Sequence, residues 1–265
     1  MSKRLPTVLA VLSWLMMAQT HAQWDSYERM TAQSLRAALT QSPSGTRPEL
    51  TGKNLSGLDL TEVDFRAANL SASVLNGAKL TRARLDHTNL TVSFLEGADL
   101  TGASLRNAML FSVQLAGCTL RDADLSGARL IGDLRKADLT RANLTNMNAA
   151  ADMKNQSMGL MRANIVNAKA AGANFSNSDF SRADFSFTDL SGAKLVGTKL
   201  VRADFSGANL SSADLTGADL RDSQLIDTDL SHANLTNADF TGASFRGVRG
   251  LDTAITAGVR GLPQS

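Results

Sequence analysis

From Leu55 to Leu130 every fifth residue is Leu or Phe: sixteen positions in a row, fifteen Leu and one Phe. A second run extends from Ile165 to Phe245, where Ile165 and Ala170 are the two exceptions. Two places before each beat the residue is usually small, as in Ala68, Ala78, Ala98, Ala203, Ala208 and Ala213. One place before it is often Asp or Asn, as in Asp99, Asn143, Asp204, Asn209 and Asp214, so the unit reads A-(D/N)-(L/F)-x-x. A repeat of this kind takes precedence over ordinary helix and strand reading. A period of five fits neither a helix at 3.6 nor a strand at 2. It works if the chain bends once per unit, so that every Leu points to one shared axis with a small residue beside it. A narrow interior leaves little room for anything larger. Asp or Asn suits the bend, because short polar side chains hydrogen-bond nearby backbone. Gly, frequent two places after the beat, relieves crowding at a turn.

On these residues, the segment from about 53 to 247 resembles the pentapeptide-repeat family. The resemblance implies an all-β fold, a right-handed quadrilateral β-helix or solenoid with four pentapeptides per coil. Gly57, Gly77, Gly97 and Gly117 recur at the matching interval of twenty. Roughly ten coils at the ~4.8 Å strand spacing make a rod of about 45–50 Å.

The N-terminus reads as a secretory signal over residues 1–22. Lys3 and Arg4 give a basic start, Val8 to Ala18 is apolar except for Ser13, and Thr20-His21-Ala22 is a small-residue cleavage site. The run is short for a bilayer span, and no Cys near the cut suggests a lipid anchor. The expected mature chain begins at Gln23 and is periplasmic or secreted, with no stable membrane insertion after the signal is removed. The chain holds 27 basic and 25 acidic residues; without Lys3 and Arg4 the remainder is formally neutral. No Lys/Arg cluster marks a nucleic-acid surface, and there is none of the net negative charge that imitating DNA demands. The single Cys, Cys118, permits no internal disulfide and stands where Ala usually sits, as a small buried filler.

After the signal, residues 23–41 read as a short N-terminal helix. Its apolar side is Trp24, Tyr27, Leu35, Ala38 and Leu39, and it is expected to cover the open first coil. Residues 42–52 read as a linker on their Ser, Pro and Gly content. The repeat follows over 53–247, irregular at 131–164. After Leu130 the beats fall one residue early, at Leu134, Leu139 and Leu144, and by Ile165 the first register has returned. One residue is lost near Ile131–Asp133 and one gained between Thr145 and Asn164, counting the 21 residues from Leu144 to Ile165 as four units plus one. A paired loss and gain reads as a local deformation of one rod, or as an interruption that bends it or projects a short loop. Residues 248–265 read as a ragged final coil and tail.

The candidate chemistry is sparse. His87 and His232 both fall two places after a beat, with no Ser, Cys or carboxylate set around them. No Cys/His spacing suits zinc, and the glycines follow the turn period rather than a phosphate loop. No catalytic residue, cofactor or metal site is expected, and the chain is not read as an enzyme. Met147, Met153, Met158 and Met161 crowd the irregular segment. Thioethers bind soft Cu(I), but Met also fills irregular cores. The outward apolar residues Val74, Val92, Phe94, Phe111 and Ile131 gather near one corner, with Val74 and Phe94, and Phe111 and Ile131, each twenty apart. Exposed Phe there marks a partner-binding patch, unless the N-terminal helix or a local loop covers it. The leading expectation is a periplasmic protein-interaction scaffold with an unidentified protein partner; an oligomer is possible but unsupported. The alternatives are periplasmic copper binding and a DNA mimic that binds DNA gyrase, the quinolone-resistance role of some pentapeptide-repeat proteins. Charge balance, the signal, and Arg66 and Arg106 on one expected face disagree with the mimic.

Overall fold

Most beats open a turn. The N–H three residues on donates to the beat's carbonyl, as from Ala68 to Phe65 at 2.8 Å and from Ala78 to Leu75 at 3.0 Å. The residue two after the beat takes φ near +60°, whether it is Gly57 at 67°, Asn107 at 55° or His87 at 59°. A positive φ at the third residue is the pattern of a type II turn. The Asp or Asn before the beat locks this bend, since its carboxyl or amide oxygen accepts the N–H two residues on. Asp59 receives Thr61 at 3.1 Å and Asn69 receives Ser71 at 3.2 Å.

These turns and bridges belong to a computed structural model that describes residues 24, 26–41, 48–151 and 162–263. Twenty residues bring the chain back alongside itself, in what is here termed a tier. Asp59, Lys79, Asp99 and Thr119 pair in succession through parallel bridges. Across each bridge the beat N–H donates to the neighbouring tier, as from Leu80 to the Asp99 carbonyl and from Leu85 to the Ser104 carbonyl, both at 2.6 Å.

The expected all-β right-handed quadrilateral β-helix is corrected at this level. Among the described residues, continuous strand is confined to β1 (Glu28–Arg29), β2 (Lys53–Asn54), β3 (Met109–Gln114) and β4 (Arg129–Asp133). They form two two-stranded parallel sheets, β1–β2 and β3–β4, and no sheet closes into a barrel or solenoid. The cause is the turn itself. A positive-φ residue in every five leaves about one residue free to pair between bends, so most contacts between tiers are single bridges.

One contiguous core runs through the tiers. The beats from Leu55 to Leu110 are fully buried, and so are the small residues beside them, such as Ala68, Ala78 and Ala98. Ser or Thr replaces Ala at some of these inner positions and donates its hydroxyl to a beat carbonyl, as Thr88 does to Leu85 at 2.6 Å and Thr228 to Phe205 at 2.8 Å. The buried hydroxyl is thereby satisfied. Farther along, Phe175, Phe180, Phe185 and Phe205 take over the axis, the last pair stacked at 5.1 Å. Cys118 sits in the same core, where burial pushes its thiol pKa up.

Helix α1 (Ala32–Gln41) begins later than the expected 23–41. Thr31 caps it: its hydroxyl accepts the Ser34 N–H at 3.1 Å, and the Ser34 hydroxyl accepts the Thr31 N–H at 3.0 Å. The reciprocal pair satisfies two orphan helix donors. Leu35 is fully buried in the core. Ahead of the helix, the chain is extended as β1 and pairs with β2 rather than continuing helical, and Met30 N–H donates to Asn54. At the other end the tail keeps bridging, Ile255 to Asn234 and Arg260 to Asp239, while Ile255 is 56% exposed.

The register slip has a precise seat. β3 and β4 pair residue for residue from Met109↔Arg129 to Phe111↔Ile131, then Val113 faces Gly132. Ser112 on β3 is left over, so β4 is one residue short. A side chain at position 132 has no room, because its Cβ would lie 2.2 Å from the Val113 carbonyl oxygen. The recovery differs from the expected gain of one residue. Asn148 bridges Asp179 and Asn164 bridges Asp184, two partners five apart, so the chain spends sixteen residues on a step that elsewhere takes five. The gain is eleven residues, which has the same phase as one.

Candidate interaction surface

The five outward apolar residues meet at one corner, but their exposure differs. Val74 and Ile131 are buried, Phe94 and Phe111 are half-buried, and Val92 is 46% exposed. Val74 lies in a bridged row, Asn54–Val74–Phe94, that the N-terminal segment meets at both ends. Arg29 pairs with Asn54, and the Trp24 ring lies 4.5 Å from that of Phe94. Tyr27 sits edge-on to Trp24 at 5.4 Å. Ile131 is paired with Phe111 across β3–β4. Only part of the corner therefore faces outward.

Met109, outside the five residues expected from the sequence, belongs to the exposed part at 46%. It occupies a bridging position where Asn69 and Asn89 precede it and Arg129 follows. The signal for it was available: Met there breaks a row of polar residues. Beside it, Phe111 borders an open depression of about 500 Å³ that also touches His87, Asn89, Thr91 and Asn107. A smaller one of about 250 Å³, on the other side of the corner, is lined by Ile131, Gly132 and Arg162 among others.

Elsewhere on the surface many charges are paired. Arg66 pairs with Asp64 at 2.8 Å, Arg82 with Glu62 at 2.7 Å and Arg141 with Asp122 at 2.7 Å. Asp86 is the most enclosed of these carboxylates, its side chain 7% exposed. Burial pushes its pKa up, but Arg106 at 3.1 Å, the Ser104 hydroxyl and the Arg106 N–H more than offset this and hold it at about 2. Arg66 and Arg106 thus cancel carboxylates on the face where a DNA mimic needs them uncancelled.

His87 and His232 both stand at positive-φ turn positions, at 59° each, and the structure does not bring them together with a nucleophile. Among the described residues no group of His, Cys, Asp and Glu is placed to hold a metal. Met147 is buried in the core, and Met153, Met158 and Met161 lie outside the described residues. No described helix is long and apolar enough to cross a membrane.

A family model for pentapeptide repeats matches the chain in eight copies spread over residues 49–149 and 160–249. The chain belongs to the pentapeptide-repeat family. Membership makes this a non-catalytic fold and supports a generic protein-interaction role. Among solved structures, this pentapeptide-repeat protein is similar to HetL, a pentapeptide repeat protein involved in heterocyst differentiation regulation from the cyanobacterium Nostoc sp. The identity is 27% over 87% of this chain and 94% of that one, with a TM-score of 0.45. It is also similar to QnrB1, a plasmid-mediated fluoroquinolone resistance protein, at 22% identity over 70% of this chain and 90% of that one, TM-score 0.42. A pentapeptide repeat protein of the Arabidopsis thaliana thylakoid lumen is 27% identical over 49% of this chain and 70% of its own, TM-score 0.33. No curated protein matches the chain.

Proposed function

We propose that this pentapeptide-repeat protein is a non-enzymatic interaction scaffold that works in the periplasm after cleavage behind Ala22. Its protein partner sits at the corner that carries Val92, Phe94 and Phe111, with Val74 and Ile131 bridged beside them in the neighbouring tiers. The observation that carries the reading is the grouping of exposed Val92 and Met109 with half-buried Phe94 and Phe111 at one corner. Burying apolar area of this kind is the main source of affinity in protein association.

The test has two parts. Cell fractionation with N-terminal sequencing is expected to place the protein outside the cytoplasm with Gln23 first; cytoplasmic protein with Met1 retained contradicts the location. Site-specific photocrosslinking from positions 92 and 111 is expected to trap a protein that the Phe94→Ser, Phe111→Ser double variant no longer traps, with its melting temperature near that of the parent. An unchanged crosslink in the double variant rules out the corner.

A further inference from the structure

Asn76 and Gly77 form the one Asn-Gly pair in the chain. In such a pair the backbone nitrogen of Gly, which no Cβ shields, can attack the side-chain amide carbon of Asn. The pair occupies the middle of a turn. The Ala78 N–H donates to the Leu75 carbonyl at 3.0 Å, and Gly77 takes φ 63°. Burial does not protect it. Gly77 is exposed, Asn76 is half-buried, and nothing lies within 4 Å of where a Gly77 Cβ would stand.

What holds the pair is the backbone of one residue in the next tier. The Gly77 N–H donates to the Glu96 carbonyl at 2.9 Å, and the Glu96 N–H donates to the Asn76 side-chain oxygen at 3.0 Å. The attacking nitrogen and the amide it would attack are therefore both tied to Glu96. In many turns the N–H one place after the beat finds its acceptor in its own unit, on an Asp or Asn, as Ser56 does on Asn54 and Thr101 on Asp99. Phe94 stands in that place ahead of Leu95 and offers no oxygen, so Glu96 reaches back to Asn76. Arg106 reaches back to Asp86 in the same way, where Ser104 precedes the beat. The second residue of a type II turn also has ψ of about +120°, which turns the Gly77 nitrogen away from the Asn76 Cγ.

We propose that Asn76–Gly77 is a latent self-modification site, held unreacted by its two bonds to Glu96 and released when these tiers part. Local opening of this kind precedes global unfolding in many proteins. Once free, the Gly77 nitrogen gives up its proton and bonds to the Asn76 Cγ, and the side-chain nitrogen leaves as ammonia. The product is a five-membered succinimide. Water then adds to one of its two carbonyls. Breaking the new carbon–nitrogen bond gives aspartate; breaking the original peptide bond gives isoaspartate, whose backbone carries an additional carbon. The turn must return each beat to the same column, and a lengthened backbone cannot do so. Isoaspartate at position 76 thus marks a molecule that has opened here and keeps the tier from closing again.

The full chain is incubated in mildly alkaline buffer, folded and in urea, and peptide mapping by mass spectrometry follows conversion at position 76. Conversion is expected to be at least tenfold slower in the folded protein. Glu96→Pro suits the second position of the turn but has no N–H to hold Asn76. Folded, as circular dichroism will show, it is expected to convert severalfold faster than the folded parent and no faster than the parent in urea. Phe94→Asp, which gives the Glu96 N–H an acceptor in its own unit, is the second variant and is expected to act in the same direction. Protein carrying isoaspartate, purified from the urea sample and refolded, is expected to melt below the parent. Equal rates in the folded and urea-treated parent, a folded variant of either kind that converts no faster than the parent, or isoaspartate protein that melts with the parent overturns the inference.

Discussion

Asp86 is where a single side chain has most electrostatic leverage. Its folded pKa of about 2 lies below the ordinary 3.8, so its ionised form is favoured by folding. That contribution is present in full above pH 4 and is lost as pH falls from about 4 toward 2. A shift of this size corresponds to roughly 2 kcal/mol. Asp86→Asn is expected to lower the urea midpoint at pH 7 and to have a much smaller effect near pH 2, as parallel denaturation curves will show. An equal loss at both pH values contradicts the linkage. At this scale the sequence was a good guide to the interior. Leu55, Ala68 and their equivalents are buried where the beat places them. It misjudged Val74 and Ile131, which stand at outward positions yet are covered. Their cover comes from pairing and from a segment dozens of residues away, neither of which a five-residue pattern encodes.

Among the elements, the β3–β4 pair is where the regular bend gives way to strand. Gly132 makes this possible, since the shortened β4 passes too close to Val113 for any Cβ. Gly132→Ala is expected to destabilise by about 1–3 kcal/mol, the usual cost of overpacking, read as a fall in melting temperature. Gly117→Ala is the control, because nothing lies within 4 Å of a Cβ there; its loss is expected to be the smaller. At the N-terminus, Thr31→Ala removes the cap of α1 and is expected to cost about 1 kcal/mol, seen first as faster amide exchange in the helix. The missing residue near Ile131 was legible because it breaks the beat. That strands form there was not, because nothing in Met109–Gln114 departs from five-residue spacing.

For the whole molecule, the phase of the beat and the path of the chain are separate quantities. The step from Asn148 to Asn164 returns to the same column of side chains after eleven additional residues. Counting by fives sees the remainder of one and misses the other ten. Removing residues 151–161 leaves five steps between Asn148 and Asn164, with Arg162 at the turn position and Ala163 inside. This deletion is expected to give a folded protein with unchanged circular dichroism and a melting temperature at or above that of the parent, because shortening a connection reduces its closure entropy. A molten or aggregated product contradicts the placement of the bridges. The function was the least legible part, for a physical reason: a repeat spends its sequence on holding itself together, and the informative residues are the few that break its rules.

The bend that closes within each five-residue unit has a genetic consequence. Because the turns of the neighbouring units are sealed by their own hydrogen bonds, a change in chain length at one corner is absorbed there and the columns beyond it realign. A shortened unit and a long insertion sit in successive tiers of this protein at the same corner, and neither disturbs the core above or below. That corner is where successive tiers hold a step one residue shorter and a step eleven residues longer than the rest, with the same columns resuming after both.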